Sequence, residues 1–139
     1  MKSLHILDCK EEYEFVVLGI NCHCKGYKLC WHLNQIEYLN FEKSSDHEIN
    51  QMLFFSRYKS EDCEGNTFYL VSNWSSKGYM IPNQKSINFF LIISLSFWTR
   101  KKDELLGVLR EINNILLIYK LDLEKEKYID RFVMYDKKN

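Results

Sequence analysis

Proline occurs once in this chain of 139 residues, at Pro82, and glycine only five times. So few glycines leave little material for a backbone cradle around phosphate, and neither a GxGxxG nor a GxxxxGK[ST] string is present. Charge of one sign is missing as well: 19 Lys plus Arg balance 19 Asp plus Glu. No global field therefore draws the molecule toward nucleic acid or anionic lipid. Long apolar runs are absent, since none exceeds Phe89 to Ile93, far short of a bilayer span. No membrane partner is expected. His5 and Asp8 interrupt the apolar residues of the N-terminus, which does not read as a signal peptide, so the expected location is cytoplasmic. The five cysteines, Cys9, Cys22, Cys24, Cys30 and Cys63, are odd in number and lack a framework spacing. They read as reduced thiols rather than a disulfide set.

What the chain has is apolar residues at 46%, with aromatics at 15% and charged residues at 27%, a composition that folds rather than stays disordered. Its length fits one core. We expect a single α+β domain over 1–123, with 124–139 as a C-terminal docking arm or frayed tail.

Tyr13 to Ile20 reads as a strand, with Leu4 to Asp8 as a candidate partner strand before it. Leu29, Leu33 and Ile36 fall at helical spacing and predict a first helix over Gly26 to Leu39. Phe41 to Asn50 reads as a loop or short edge strand. Met52 to Tyr58 and Thr67 to Trp74 read as an antiparallel hairpin around Glu61, Asp62, Gly65 and Asn66. Phe89, Leu91, Ile93, Leu95 and Phe97 alternate along one face of a further strand, with Phe90 and Ile92 on the other. Thr99 is the expected N-cap of a second helix with Leu105, Leu109 and Ile112 inward, and Asn113 and Asn114 are expected to close it in the left-handed conformation. Ile115 to Leu121, apolar on both faces, reads as an interior strand. A strand, a helix and a strand in direct succession predict two parallel strands joined by a right-handed crossover. The expected architecture is a two-layer sandwich: a mixed, mainly antiparallel sheet with two helices on one face, ferredoxin-like or ACT-like.

The string Ile81, Pro82, Asn83, Gln84, Lys85, Ser86, Ile87, Asn88, Phe89 resembles the signature of the IPExxxVDY family, small uncharacterised proteins of Bacteroidetes bacteria. Tyr27, Lys28, Leu29, Cys30, Trp31, His32, Leu33 and Asn34 resemble that family's Tyr, basic, Leu, Cys, Trp, x, Leu, Asn stretch. Where the family name carries glutamate, aspartate and tyrosine, this chain has Asn83, Asn88 and Phe89. Acid–base catalysis needs a titratable group, which asparagine does not supply. We therefore read Ile81, Pro82, Asn83, Ile87, Asn88 and Phe89 as structural: proline fixes a loop, an amide bonds its backbone, and the last residues open a core strand.

Two further constellations are candidates. Cys22, His23, Cys24, Cys30 and His32 bring sulfur and imidazole into one short stretch, but the spacing closes no tetrahedral set, so neither a metal nor another cofactor is expected. Arg100, Lys101 and Lys102, behind Phe97 and Trp98, form a basic knot at the expected start of the second helix. With Trp98 stacking a base and the three cations on phosphate, it is the candidate RNA contact. With no catalytic constellation, the expected function is non-enzymatic: a protein-interaction or accessory module whose partner is another protein or a second copy, touched through sheet aromatics or the C-terminal arm. RNA binding on an exposed sheet face is the alternative, and an ACT-like small-molecule sensor the second alternative.

Overall fold

The computed structural model describes residues 14–134. The strand expected at Leu4 to Asp8, Cys9 and the last five residues lie outside that range. The elements run β1 (Phe15–Cys22), α1 (Gly26–Leu33), β2 (Glu42–Lys43), β3 (His47–Asn50), β4 (Leu53–Phe55), β5 (Arg57–Glu61) and β6 (Thr67–Ser72). They continue through β7 (Trp74–Ser75), β8 (Gly78–Tyr79), β9 (Phe89–Ser94), α2 (Leu95–Leu109) and β10 (Ile115–Lys120), then two short 3-10 turns. Six strands form the main sheet in the order β10-β1-β9-β6-β5-β2, while β3 pairs with β4 and β7 with β8.

The class is α+β, as expected, but among the described residues the main sheet is not mixed. Each of its pairings is antiparallel. The strands flanking α2 do point the same way, because β9 and β10 are both antiparallel to β1. They are not neighbours, since β1 lies between them. The expected turn and second hairpin strand are present, but the first strand is β5, with Arg57 opposite Val71 and Glu61 opposite Thr67, rather than Met52 to Tyr58: Leu53–Phe55 form β4 and pair with β3 instead. The hairpin turn is held by Asp62, whose carboxylate accepts from the backbone N–H groups of Glu64 and Asn66 at 2.9 Å each, and Gly65 supplies the positive φ of 87°.

Both helices differ from their expected bounds, for local reasons. The first stops at Leu33 because the Asn34 side chain turns back to the chain ahead, accepting from Phe41 N at 2.7 Å and donating to Phe41 O at 3.1 Å. The second begins at Leu95, so Leu95 and Phe97 are helical rather than strand residues. Its N-cap is Ser94, whose hydroxyl accepts from Phe97 N at 3.3 Å, not Thr99, which lies inside the helix and donates to Leu95 O at 2.9 Å. At its end Glu111 N and Ile112 N bond back to Val108 O and Leu109 O, and no non-glycine described residue adopts positive φ, so the expected left-handed asparagine cap is not used.

Strand alternation divides the core in two. Val16, Leu18 and Ile20 of β1, Phe68 and Leu70 of β6, and Phe89, Leu91 and Ile93 of β9 pack with Leu29 and Leu33 of α1 and with Phe97, Leu105 and Leu109 of α2. Positions of the other parity, Val17, Val71, Phe90 and Ile92, pack with Met80, Ile81 and Ile87 from the loop before β9 and with Phe132 near the C-terminus. The segment read as arm or tail therefore packs as far as it is described. Phe132 is buried edge-on against Phe90, ring centroids 5.0 Å apart. Arg131 Nη1 donates to Met80 O at 2.8 Å, and His47 Nε2 donates to Arg131 O at 2.7 Å.

Candidate functional site

The loop that carries the family resemblance hangs from one residue that sequence reasoning passed over, Asn73. It follows β6 directly, and its side chain is fully buried. The amide nitrogen donates to Gln84 O at 2.9 Å and to Ile87 O at 3.0 Å, while the amide oxygen accepts from Ile81 N at 2.8 Å. Its backbone joins Met80 N and Asn88 O, each at 2.9 Å. One side chain thus meets three backbone groups of an otherwise irregular segment, which is how a loop is buried without orphaned peptide groups. Asn88 closes the other end, donating its N–H to Ile20 O at 2.8 Å and accepting Cys22 N on its side-chain oxygen at 2.7 Å, at the bulge in β1. Asn83 donates to Glu126 Oε1 at 3.4 Å. Ile81, Ile87 and Phe89 are buried. Pro82 lies at the first turn of the loop, where Gln84 N bonds Ile81 O. The loop's polar side chains and apolar side chains are both engaged in holding it against β1 and β6.

The cysteines come close without forming a charged site. Cys22 Sγ and Cys24 Sγ are 3.9 Å apart. Burial, then the neighbouring Cys22, pushes the Cys24 thiol up to about 11, with Lys28 pulling weakly the other way. Burial, then Cys24, pushes Cys30 up to about 12. Both remain protonated at neutral pH, and a thiol is not the nucleophile that a thiolate is. Among the described residues no group of three or more His, Cys, Asp or Glu is placed to hold a metal ion.

The basic knot is dispersed. Trp98 is buried in the core with Phe97 and presents no stacking face, contrary to its expected role as an RNA contact. Arg100 lies 4.0 Å from Glu64 and Lys101 3.5 Å from Glu104, both pairs well exposed. Because α2 starts at Leu95, Arg100, Lys101 and Lys102 fall beyond its first turn, and the expected conflict with the helix dipole disappears. Of the aromatics on strands, Phe68, Phe89 and Phe90 are core residues, whereas Trp74 is exposed and Tyr58 and Tyr79 are half-buried.

The two edges of the main sheet are unlike. At one end β2 is two residues long and fully charged, Glu42 and Lys43, the usual protection of an edge. At the other, β10 is six residues, Ile-Leu-Leu-Ile-Tyr-Lys, with one sheet neighbour among the described residues. Among the described residues it therefore lies at an edge, where its composition predicts an interior strand. Leu116 and Leu117 are 56% and 55% exposed and Tyr119 is 37% exposed. No proline interrupts it, and its one charge, Lys120, is at its end. Among the described residues no helix is long and apolar enough to cross a membrane. Comparison of the chain with protein-family models, with curated proteins and with solved structures finds no match.

Proposed function

We propose that the protein is a non-catalytic cytoplasmic binding module whose partner is a second copy of itself, joined edge to edge through β10. The observation that carries this reading is the apolar strand β10, which among the described residues has β1 as its one sheet neighbour and leaves Leu116, Leu117 and Tyr119 exposed, while the far edge is one charged dipeptide. A long apolar edge left in water templates pairing with another strand. The strand is also suited to pair with itself. Antiparallel pairing about a two-fold axis at Leu117 sets Leu116 opposite Ile118 of the second copy, Ile115 opposite Tyr119 of the second copy, and Lys120 opposite Asn114 of the second copy. No like charges meet, and closed two-fold dimers are the commonest oligomers.

The order β10-β1-β9-β6 sets the first strand between the last and the third of a β-α-β-β-α-β chain and the second outside the third. That order supports a ferredoxin-like arrangement with both helices on one face, widened by β5 and β2. Membership of the IPExxxVDY family is part of the same proposal and rests on the two strings quoted above.

Sedimentation equilibrium tests the dimer. The protein is expected to sediment as a dimer at micromolar concentration, and Leu117→Lys, which places like charges opposite one another on the axis, to give a folded monomer. A wild-type monomer whose β10 amides are protected from exchange would assign the edge to another segment of the same chain and overturn the dimer. So would a dimer indifferent to Leu117→Lys.

A further inference from the structure

A second feature, independent of the β10 edge, lies where β1 gives way to α1. Cys22 ends β1, Cys24 stands just before the helix, and their sulfurs are in contact at 3.9 Å. Both are free thiols. Residues two apart in sequence have Cα atoms no more than about 7 Å apart even in an extended chain, and here the chain bends at His23 and Cys24. A disulfide takes Cα separations of about 4.4–6.8 Å. The two sulfurs are therefore within reach of a bond that needs side-chain rotation and little backbone movement.

The two thiols are placed differently. Cys22 is buried in the main core, with its N–H held by Asn88 Oδ1 at 2.7 Å, and the next N–H, of His23, donates to Asn114 O at 3.1 Å. Cys24 is half-buried and lines an open cleft of about 240 Å³ together with Trp74, Tyr79 and Lys85. A reagent in solvent meets Cys24 first, and Cys22 stands behind it. Burial, then the neighbouring Cys22, keeps the Cys24 thiol protonated at rest, so its first reaction is slow. The second is not. Once Cys24 has reacted, the Cys22 sulfur is already in contact with it, and an intramolecular attack outruns any thiol in solution.

We propose that Cys22 and Cys24 form a reversible dithiol–disulfide site whose oxidant is a small-molecule disulfide, with Cys24 as the attacking thiol and Cys22 as the resolving one. Cys24 loses its proton to solvent and its sulfur attacks one sulfur of the external disulfide, which breaks that S–S bond and releases one thiolate. Cys22 then loses its proton, its sulfur attacks Cys24 Sγ, and the mixed disulfide breaks to release a second thiolate. The two leaving thiolates take up two protons, matching those the cysteines lost. The cysteine pair is oxidised by two electrons, and the external disulfide is reduced by the same two. Excess thiol runs the sequence backwards, so in reducing surroundings the pair rests as the dithiol.

Peptide mass mapping of the full chain tests this. The folded protein is treated with oxidised glutathione at mildly alkaline pH until the exposed Cys63 carries glutathione, then free thiols are alkylated and the chain is cut with trypsin. Residues 11–25 make one tryptic peptide, which holds Cys22 and Cys24 and no other cysteine. In the wild type this peptide is expected to be lighter by two hydrogen atoms, without alkyl group or glutathione, and to regain both thiols on treatment with dithiothreitol. In Cys22→Ala the resolving sulfur is gone, and Cys24 is expected to keep one glutathione. The proposal is overturned if the wild-type peptide emerges with both thiols free, with glutathione still on Cys24, or joined to another peptide, such as 29–43 with Cys30. An unmodified Cys24 in Cys22→Ala would equally overturn its role as the attacking thiol.

Discussion

Asn73 shows how one buried amide organises a segment otherwise without regular structure. Replacing it with alanine removes bonds to Ile81 N, Gln84 O and Ile87 O, and leaves those backbone groups unpaired in an apolar site. At about 1 kcal/mol or more for each, Asn73→Ala is expected to destabilise the fold by roughly 3 kcal/mol, read by urea denaturation; a change under about 1 kcal/mol would mean the loop is held by its apolar side chains alone. Gly19, on β1 beneath the same loop, makes the complementary case. A Cβ there would stand 2.5 Å from Ile87 Cδ1 and 3.0 Å from Leu121 Cδ1. Gly19→Ala is expected to cost about 1–3 kcal/mol, and less in an Ile87→Val background, where the closest atom is missing; equal costs in both backgrounds would place the strain elsewhere. Neither residue was legible beforehand. An asparagine between two strand-like runs has the composition of any turn, and its side chain's partners lie up to fourteen residues along the chain. The titratable groups missing from Asn83 and Asn88 were legible, because that argument needs only residue identity.

At the scale of elements, alternation was a reliable guide wherever both faces of a strand met something. Phe89, Leu91 and Ile93 against Phe90 and Ile92 sorts the two core clusters correctly from sequence alone. The same logic reads β10 as interior, whereas among the described residues it ends the sheet, because an apolar strand has one appearance whether it has one neighbour or two. The start of α2 was missed for a related reason. Leu95 and Phe97 continue the strand's period of two, and only the Ser94 hydroxyl on Phe97 N shows that the backbone has already turned. The contact between β3 and the C-terminal segment carries a pH dependence. Burial holds His47 below its ordinary value of about 6.5, outweighing the pull of the Arg131 carbonyl, and Arg57 lowers it further. The unfolded chain therefore takes up a proton that the folded one refuses. Stability is full above about 6.5 and falls as pH drops from there toward the depressed folded value. His47→Gln, which keeps a donor for Arg131 O, is expected to flatten this part of the stability profile; an unchanged slope between neutral and mildly acidic pH would assign it to other groups.

Across the described molecule the buried apolar residues fall into two clusters, one that includes residues of α1 and α2, the other residues of a loop and of the segment after β10. Length and composition indicate one core, and a boundary at residue 123 follows from the polar, charge-rich sequence beyond it. That sequence hides how few apolar residues a covering segment needs. Phe132, buried on Phe90, with Tyr128 and Met134 partly buried beside it, closes the second cluster, while the charged residues between them face outward or bond the backbone. Phe132→Ala is accordingly expected to cost about 3–5 kcal/mol, the range for removing a phenyl ring from a packed core. A chain ending at Leu123 would lose the ring, the Arg131 bond to Met80 O and the His47 bond to Arg131 O together, and so is expected to be less stable than Phe132→Ala. It should also bind a dye for exposed apolar surface, since Phe90, Met80 and Ile81 are then uncovered. Denaturation curves of the two variants against the wild type separate the cases. A truncated chain as stable as the full one would show that residues 1–123 close their own core and that the remaining segment is only laid upon it.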